Sequence, residues 1–212
     1  SVSAGFRGRG DHWYYRGRLT YRDYGDFKVP TDQINYESYV FELVDNQLRN
    51  TAGFEANASF SLGYVSDRVK SETLISNVNG KNGFFANAHG LEVRSSFIDY
   101  DRSNRDIDLP FHNVNHFKLI HNTTWYGNAH TLQLDIGYQN NQREEHSEAV
   151  AHGYMPVPPN TKERVFTKNT FTFNLQDNFK PNSKHDISIG LNSELQDNHI
   201  GGWGFLIPQF LR

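Results

Sequence analysis

The sequence predicts an all-β protein, an antiparallel up-and-down transmembrane β-barrel, and three observations carry that reading. The first is alternation of period two, which gives a strand two unlike faces. Trp13, Tyr15, Gly17, Leu19 and Tyr21 alternate with Tyr14, Arg16, Arg18, Thr20 and Arg22. The second is that the connections also alternate, tight at one end of the strands and long at the other, as in outer-membrane barrels. The third is the set of aromatics beside the tight turns: Phe6 and Trp13, Tyr64, Trp125 and Tyr126, and Phe179. Rings at such positions form the interfacial girdle of a membrane barrel.

About eight strands are expected. The first two cover roughly 1–8 and 12–24, joined by a turn at Gly8-Arg9-Gly10-Asp11. A long connection from Gly25 to about Asn50 leads to a third strand, roughly 52–66, where Phe54, Ala56, Ala58, Phe60, Leu62 and Tyr64 alternate with polar or small residues. A turn at Ser66-Asp67-Arg68 opens a fourth, roughly 69–80, whose faces are ambiguous because Thr73 and Ile75 compete with Leu74 and Val78. A second long connection runs from Lys81 to about Phe111. The fifth strand, roughly 113–126, carries Phe117, Leu119, Thr123 and Trp125 on one face, which His121 interrupts. Gly127-Asn128 predicts a hairpin, because both residues tolerate positive φ. The sixth strand is roughly 129–143, and the long connection after it contains Met155-Pro156-Val157-Pro158-Pro159. The seventh and eighth, roughly 165–179 and 185–198, flank a turn at Lys180-Pro181-Asn182-Ser183. The opposite faces carry Arg16, Arg18, Glu55, Gln133, Asp135, Asn174 and Glu194, which suits a wet lumen.

Composition bounds the function. Mean hydropathy is only −0.71 although 14% of residues are aromatic. A barrel accommodates this, since only every second residue meets lipid, whereas a membrane helix needs about 20 consecutive apolar residues, and the chain has no such run. The net charge of −3 points away from a nucleic-acid partner, which needs a basic footprint. With no cysteine, there are no disulfides and no thiolate metal sites. The chain starts at Ser1 rather than Met, as expected of an exported protein after signal removal or of a piece of a longer chain. Alternation alone also fits a soluble β-sandwich; strand length and the girdle favour the barrel.

Several stretches, in order along the chain, resemble TonB-dependent outer-membrane receptors of the Bacteroidetes type. They are Tyr24-Gly25-Asp26-Phe27-Lys28-Val29-Pro30, Asn82-Gly83-Phe84-Phe85-Ala86-Asn87-Ala88-His89-Gly90, and Arg105-Asp106-Ile107-Asp108-Leu109-Pro110 followed by Val114-Asn115-His116-Phe117-Lys118. Arg143-Glu144-Glu145, His152-Gly153-Tyr154-Met155-Pro156-Val157-Pro158-Pro159 and Gly204-Phe205-Leu206-Ile207-Pro208 continue the set. The resemblance implies a plugged barrel of about 22 strands in the outer membrane. Residues 1–212 are then expected to be the N-terminal part of the barrel, cut after its eighth strand. The plug, its contact with the TonB complex and the remaining strands lie outside the sequence given.

What the resemblance implies is active transport, not catalysis: a scarce nutrient, above all a ferric siderophore or similar metal chelate, bound by the external loops. The candidate ligand-binding residues are His89, His152 and Tyr154, the histidines standing in a repeated Ala-His-Gly context with His146 and Glu148 near the second. Imidazoles and carboxylates at a barrel mouth suit a metal chelate. His112, His116 and His121 are expected to be structural or lumen-facing. Asp99, Asp101, Ser103, Asp106 and Asp108 are rich in oxygen, but lack the glycine and glutamate of a calcium loop, and a solvated loop is expected. No catalytic or cofactor motif is found, so no enzyme and no cofactor are expected. The other readings are a stand-alone small barrel acting as an adhesin or structural protein, and a soluble β-rich carbohydrate-binding module.

Overall fold

The computed structural model describes residues 1–36, 39–85, 97–98, 103–149 and 156–204. In chain order the strands are β1 (Val2–Arg9), β2 (Trp13–Tyr24), β3 (Phe27–Lys28), β4 (Gln33–Tyr36), β5 (Tyr39–Leu43), β6 (Gln47–Leu48), β7 (Gly53–Val65), β8 (Val69–Gly83), β9 (Phe97–Ile98), β10 (Phe111–Tyr126), β11 (His130–His146), β12 (Lys162–Asn182) and β13 (His185–Gly201). The eight long strands form one antiparallel sheet in the order β1-β2-β7-β8-β10-β11-β12-β13. Each long strand therefore pairs with the next, and β1 and β13 are the two edges. The sheet is not closed into a barrel among the described residues.

Four features differ from the expected strands. Those leading to long connections extend further: β8 reaches Gly83, β11 reaches His146, and β12 begins at Lys162. The first long connection contains four short strands, β3 to β6, of two to five residues each. Tyr126 lies on the opposite face from Trp125, so it does not belong to the same aromatic row. The turn after β12 sits at Ser183 and Lys184, and Pro181 falls within a register shift between Phe179 and Asn182. A residue without an N–H is tolerated at such an irregularity.

The register sorts the side chains onto two faces. One row runs through Phe6, Gly17, Phe60, Ile75, Leu119, Tyr138, Phe171 and Leu195, apolar in every strand except for the glycine. The ambiguous strand is resolved by that row: Thr73 and Ile75 share the apolar face, and Leu74 and Val78 lie on the other. All seven residues expected on the wet face, from Arg16 to Glu194, share the polar face.

In that row Phe6, Phe60, Ile75, Leu119, Phe171 and Leu195 are exposed, from 38% at Leu119 to 68% at Leu195. In β7 the apolar positions Ala56, Ala58, Phe60 and Leu62 are exposed, while Ser61 and Gly63 on the polar face are buried. A soluble sheet does the reverse. The buried apolar residues among those described are only Leu43 and Ala52, neither of them in a long strand.

The apolar band is also slanted. In β2 and β7 it extends from the central row toward the long connections, through Leu19 and Tyr21 and through Ala58 and Ala56. In β11 to β13 those same two rows hold Asn140, Asn169 and Asp197, then Gln142, Thr167 and His199. There the band extends toward the tight turns instead, through Leu134, Leu175 and Leu191 and on to Phe179 and Ile187. The aromatic row follows the same slope, Trp13 packing on Tyr64 with ring centroids 5.0 Å apart, then Trp125 and Phe179 farther toward the turns.

Two glycines inside strands are explained by rings opposite them. Tyr14 faces Gly63 and Phe6 faces Gly17 across the register, and a Cβ at either glycine would collide with the ring. Gly127 has the same cause: its turn forms without positive φ, and the Trp125 indole occupies the space of a side chain.

Candidate functional site at the long-connection end

Gly83, Phe111, His146 and Lys162 stand in one row of the register. They are the roots of the second and third long connections, the ones that carry His89 and the pair His152 and Tyr154. Strands lie about 4.8 Å apart, so these roots fall within about 15 Å of one another. His89, His152 and Tyr154 themselves lie outside the described residues, as do Asp99 and Asp101.

The first two connections are joined to each other. β5 pairs with β9 in parallel, through Glu42 and Phe97 and through Leu43 and Ile98. Asp26 N–H donates to the Asn104 carbonyl at 2.8 Å, and Arg105 pairs with Asp23. Two buried side chains hold the junction. The Asp26 carboxylate accepts from the backbone N–H of Thr51 at 2.8 Å and of Ala52 at 3.0 Å, with Arg49 Nη1 3.8 Å away. A buried carboxylate is tolerated when charge-assisted bonds replace its water. Asn50 has φ 60°, a conformation asparagine reaches more readily than most residues. Its amide nitrogen donates to the carbonyls of Phe84 at 3.0 Å and Pro110 at 2.9 Å, and its Oδ1 accepts from Asp108 N–H at 2.8 Å. One side chain thus ties both ends of the second connection to the end of the first.

The second and third connections are joined through charge. On the polar face Glu145 accepts from Arg143 Nη2 at 2.8 Å and Arg164 Nη1 at 2.7 Å, and Arg164 Nη2 lies 2.9 Å from Glu163. Arg143 Nη2 also donates to His112 Nε2 at 2.9 Å. An arginine is always charged and only donates, so His112 accepts and is neutral. Its pKa is lowered, first by burial and then by the Arg143 charge, with Glu145 opposing. On the other face Glu144 accepts from Lys162 Nζ at 2.8 Å and contacts His146 Nε2 at 3.1 Å. The Lys162 bond is the main cause of its lowered pKa. Both groups lie beyond the apolar band, on the long-connection side. Rings complete the packing: Phe84 stands edge-on to His112, and Phe111 stacks on His146.

The remaining candidates are therefore accounted for. His146 bonds Thr161 and Glu144, Glu148 is exposed, and Ser103 and Asp106 bond each other in a local turn. His116 lies on the polar face against Gln139. His121 sits on the apolar face, where Thr73 and Thr123 occupy both ring nitrogens and Ser71 bonds Thr123. That closed set lets four polar side chains occupy an apolar band. Among the described residues no group of three or more His, Cys, Asp or Glu could hold a metal. Sequence reasoning missed Asp26 and Asn50, which sit in a stretch read only as loop; the capacity of Asn and Asp to cap backbone groups is the one signal that marks them.

Chemically, the end is a set of anchors. It fixes the roots of three connections and leaves Arg143, 44% exposed, able to donate to a ligand. No family model matches the chain, and no curated protein matches it.

Proposed function

We propose that this chain is barrel wall from a TonB-dependent outer-membrane receptor, which binds a scarce nutrient such as a ferric siderophore at its long connections and imports it without chemical change. The observation that carries the reading is the exposed, slanted apolar band. Barrel strands tilt by about 35–45° and their register is staggered, so a band level with the membrane must cross the hydrogen-bonded rows obliquely. The polar opposite face suits a wet interior, and tight turns at one end with long connections at the other suit periplasmic and external sides. The joined roots fix where the second and third long connections begin and end, on the side that would face outward.

Two measurements test this. Expressed with an export signal, the protein should fractionate with the outer membrane and partition into detergent; a monomer that stays soluble without detergent contradicts the membrane. In the full receptor, His89→Ala with His152→Ala should lower ferric-chelate uptake about tenfold, the loss of one good contact. Unchanged uptake would sink the metal-contact role while leaving the barrel standing.

A further inference from the structure

A second concentration of charge lies at the opposite end of the sheet, next to the tight turns. Arg7 in β1 stands directly opposite Arg16 in β2, and Arg9 stands opposite Tyr14. Like charges facing each other across strands destabilise a sheet, so this pair requires a compensating negative charge. Arg16 has one: its Nε donates to Ser61 Oγ at 2.9 Å, and its Nη2 lies 2.9 Å from Glu72 Oε1. Arg7 and Arg9 have no hydrogen-bond or carboxylate partner among the described residues. The same side chains, with Lys70 and Tyr14, line an open groove of about 740 Å³. Four cationic side chains border it against two carboxylates, Asp11 and Glu72, and Glu72 is already engaged by Arg16.

We infer that this groove is a binding site for a multiply charged small oxyanion, one carrying phosphate or several carboxylates. Guanidinium groups match such oxygens in pairs through fixed N–H forks. Arg16 is held in place by Ser61 and Glu72, Arg7 is left to close on the ligand from the facing strand, and Lys70 adds a point charge. The inference stands apart from the membrane reading, since it needs only the β1–β2–β7–β8 register.

Calorimetric titration of the whole purified chain in detergent tests it, with inorganic tripolyphosphate and citrate as separate probes. One saturable site is expected for at least one probe, and the better probe distinguishes phosphate from carboxylate chemistry. Arg7→Gln with Arg9→Gln should weaken it tenfold or more, Arg7→Lys with Arg9→Lys should retain part of it, and Arg22→Gln, outside the groove, should leave it within twofold. Should the glutamine pair fail to fold, the lysine pair still decides, because affinity equal to the unaltered chain removes the forked contact. Binding unaffected by the double substitution, or no saturable binding at low salt, overturns the site. Tighter, equally arginine-dependent binding of a polyglutamate peptide also overturns it, in favour of an acidic protein partner.

Discussion

Across the middle of the sheet many bulky apolar side chains are exposed, Leu119, Phe171 and Leu195 among them. At the long-connection end the buried positions are mostly polar: Asp26, Gln47, Arg49, Asn50, Thr51, His146 and Glu163, beside Leu43 and Ala52. The two regions are stabilised by different means. The middle relies on ladder hydrogen bonds and on rings packed across strands, and many of its apolar side chains are exposed. The end relies on polar groups taken out of water and mostly held by hydrogen bonds, although Asp26 Oδ2 and Arg164 Nε have no hydrogen-bond partner among the described residues. On the reading proposed above, the difference reflects two solvents, water around the end and an apolar medium against the middle.

The largest expected effect strikes the middle. Leu119 and Asn115 lie in one strand and on one face, two rows apart, the first on the central apolar row and the second where the band has become polar. Leu119→Arg should cost about 2–4 kcal/mol in a lipid-folded protein, and Asn115→Arg about 0–1 kcal/mol, the depth dependence of a lipid-facing charge. Urea titration of protein folded into vesicles measures both. Two equally small values would mean that the apolar face does not meet lipid, and the contrast between the regions would lose its physical basis.

The next effect strikes the end. Asn50→Ala removes three bonds and leaves the Phe84 carbonyl and the Asp108 N–H of the second connection without this partner, while the Pro110 carbonyl keeps the Phe84 N–H at 3.1 Å. A buried group stripped of its partner costs about 1–3 kcal/mol, so a loss of about 2–3 kcal/mol is expected. Hydrogen exchange should locate it: protection falls at Asp108 and around Phe84 while the middle of the sheet keeps its rates. A loss spread evenly over both regions would show that they are one cooperative unit.

This asymmetry also governed what could be read from the chain. The eight long strands were legible because period two repeats over a dozen residues, as in Phe54 to Tyr64, and because tight turns punctuate it. The faces were legible for the same reason, down to the wet-face residues Asp135 and Glu194. Strand extensions such as Glu144 to His146 and Lys162 to Arg164 were not, because both faces turn polar there and alternation vanishes although pairing continues. Nor were β3 to β6, which are too short for a period to show. His121 looked like an interruption; its hydroxyl partners come from β8 and from its own strand, and no spacing rule links Thr73 to it. The end was least legible of all. Asn50 meets Asp108, Pro110 and Phe84 only after the chain has folded, and His89, His152 and Tyr154 lie outside the described residues.

The smallest expected effect separates the regions by pH. His112 and Glu144 both have pKa values below their ordinary ones, 6.5 and 4.5. In each case the folded end binds fewer protons than the unfolded chain at intermediate pH, so stability rises with pH there. The contribution is present in full above the ordinary value and is lost as pH falls below it. For His112 the loss begins near pH 6.5, because protonation puts a cation against Arg143 in a half-buried setting. For Glu144 it begins near pH 4.5, because a protonated carboxyl gives up the Lys162 and His146 contacts. Hydrogen exchange at 111–114 and 143–146, taken as a ratio to the tight-turn end to cancel the intrinsic pH dependence, should therefore rise a few-fold in two stages on acidification. His112→Gln should abolish the first stage and keep the second. A ratio that stays flat from pH 7 to 4 would show that these charges do not hold the long-connection end together, and that the backbone bonds of Asp26 and Asn50 do so alone.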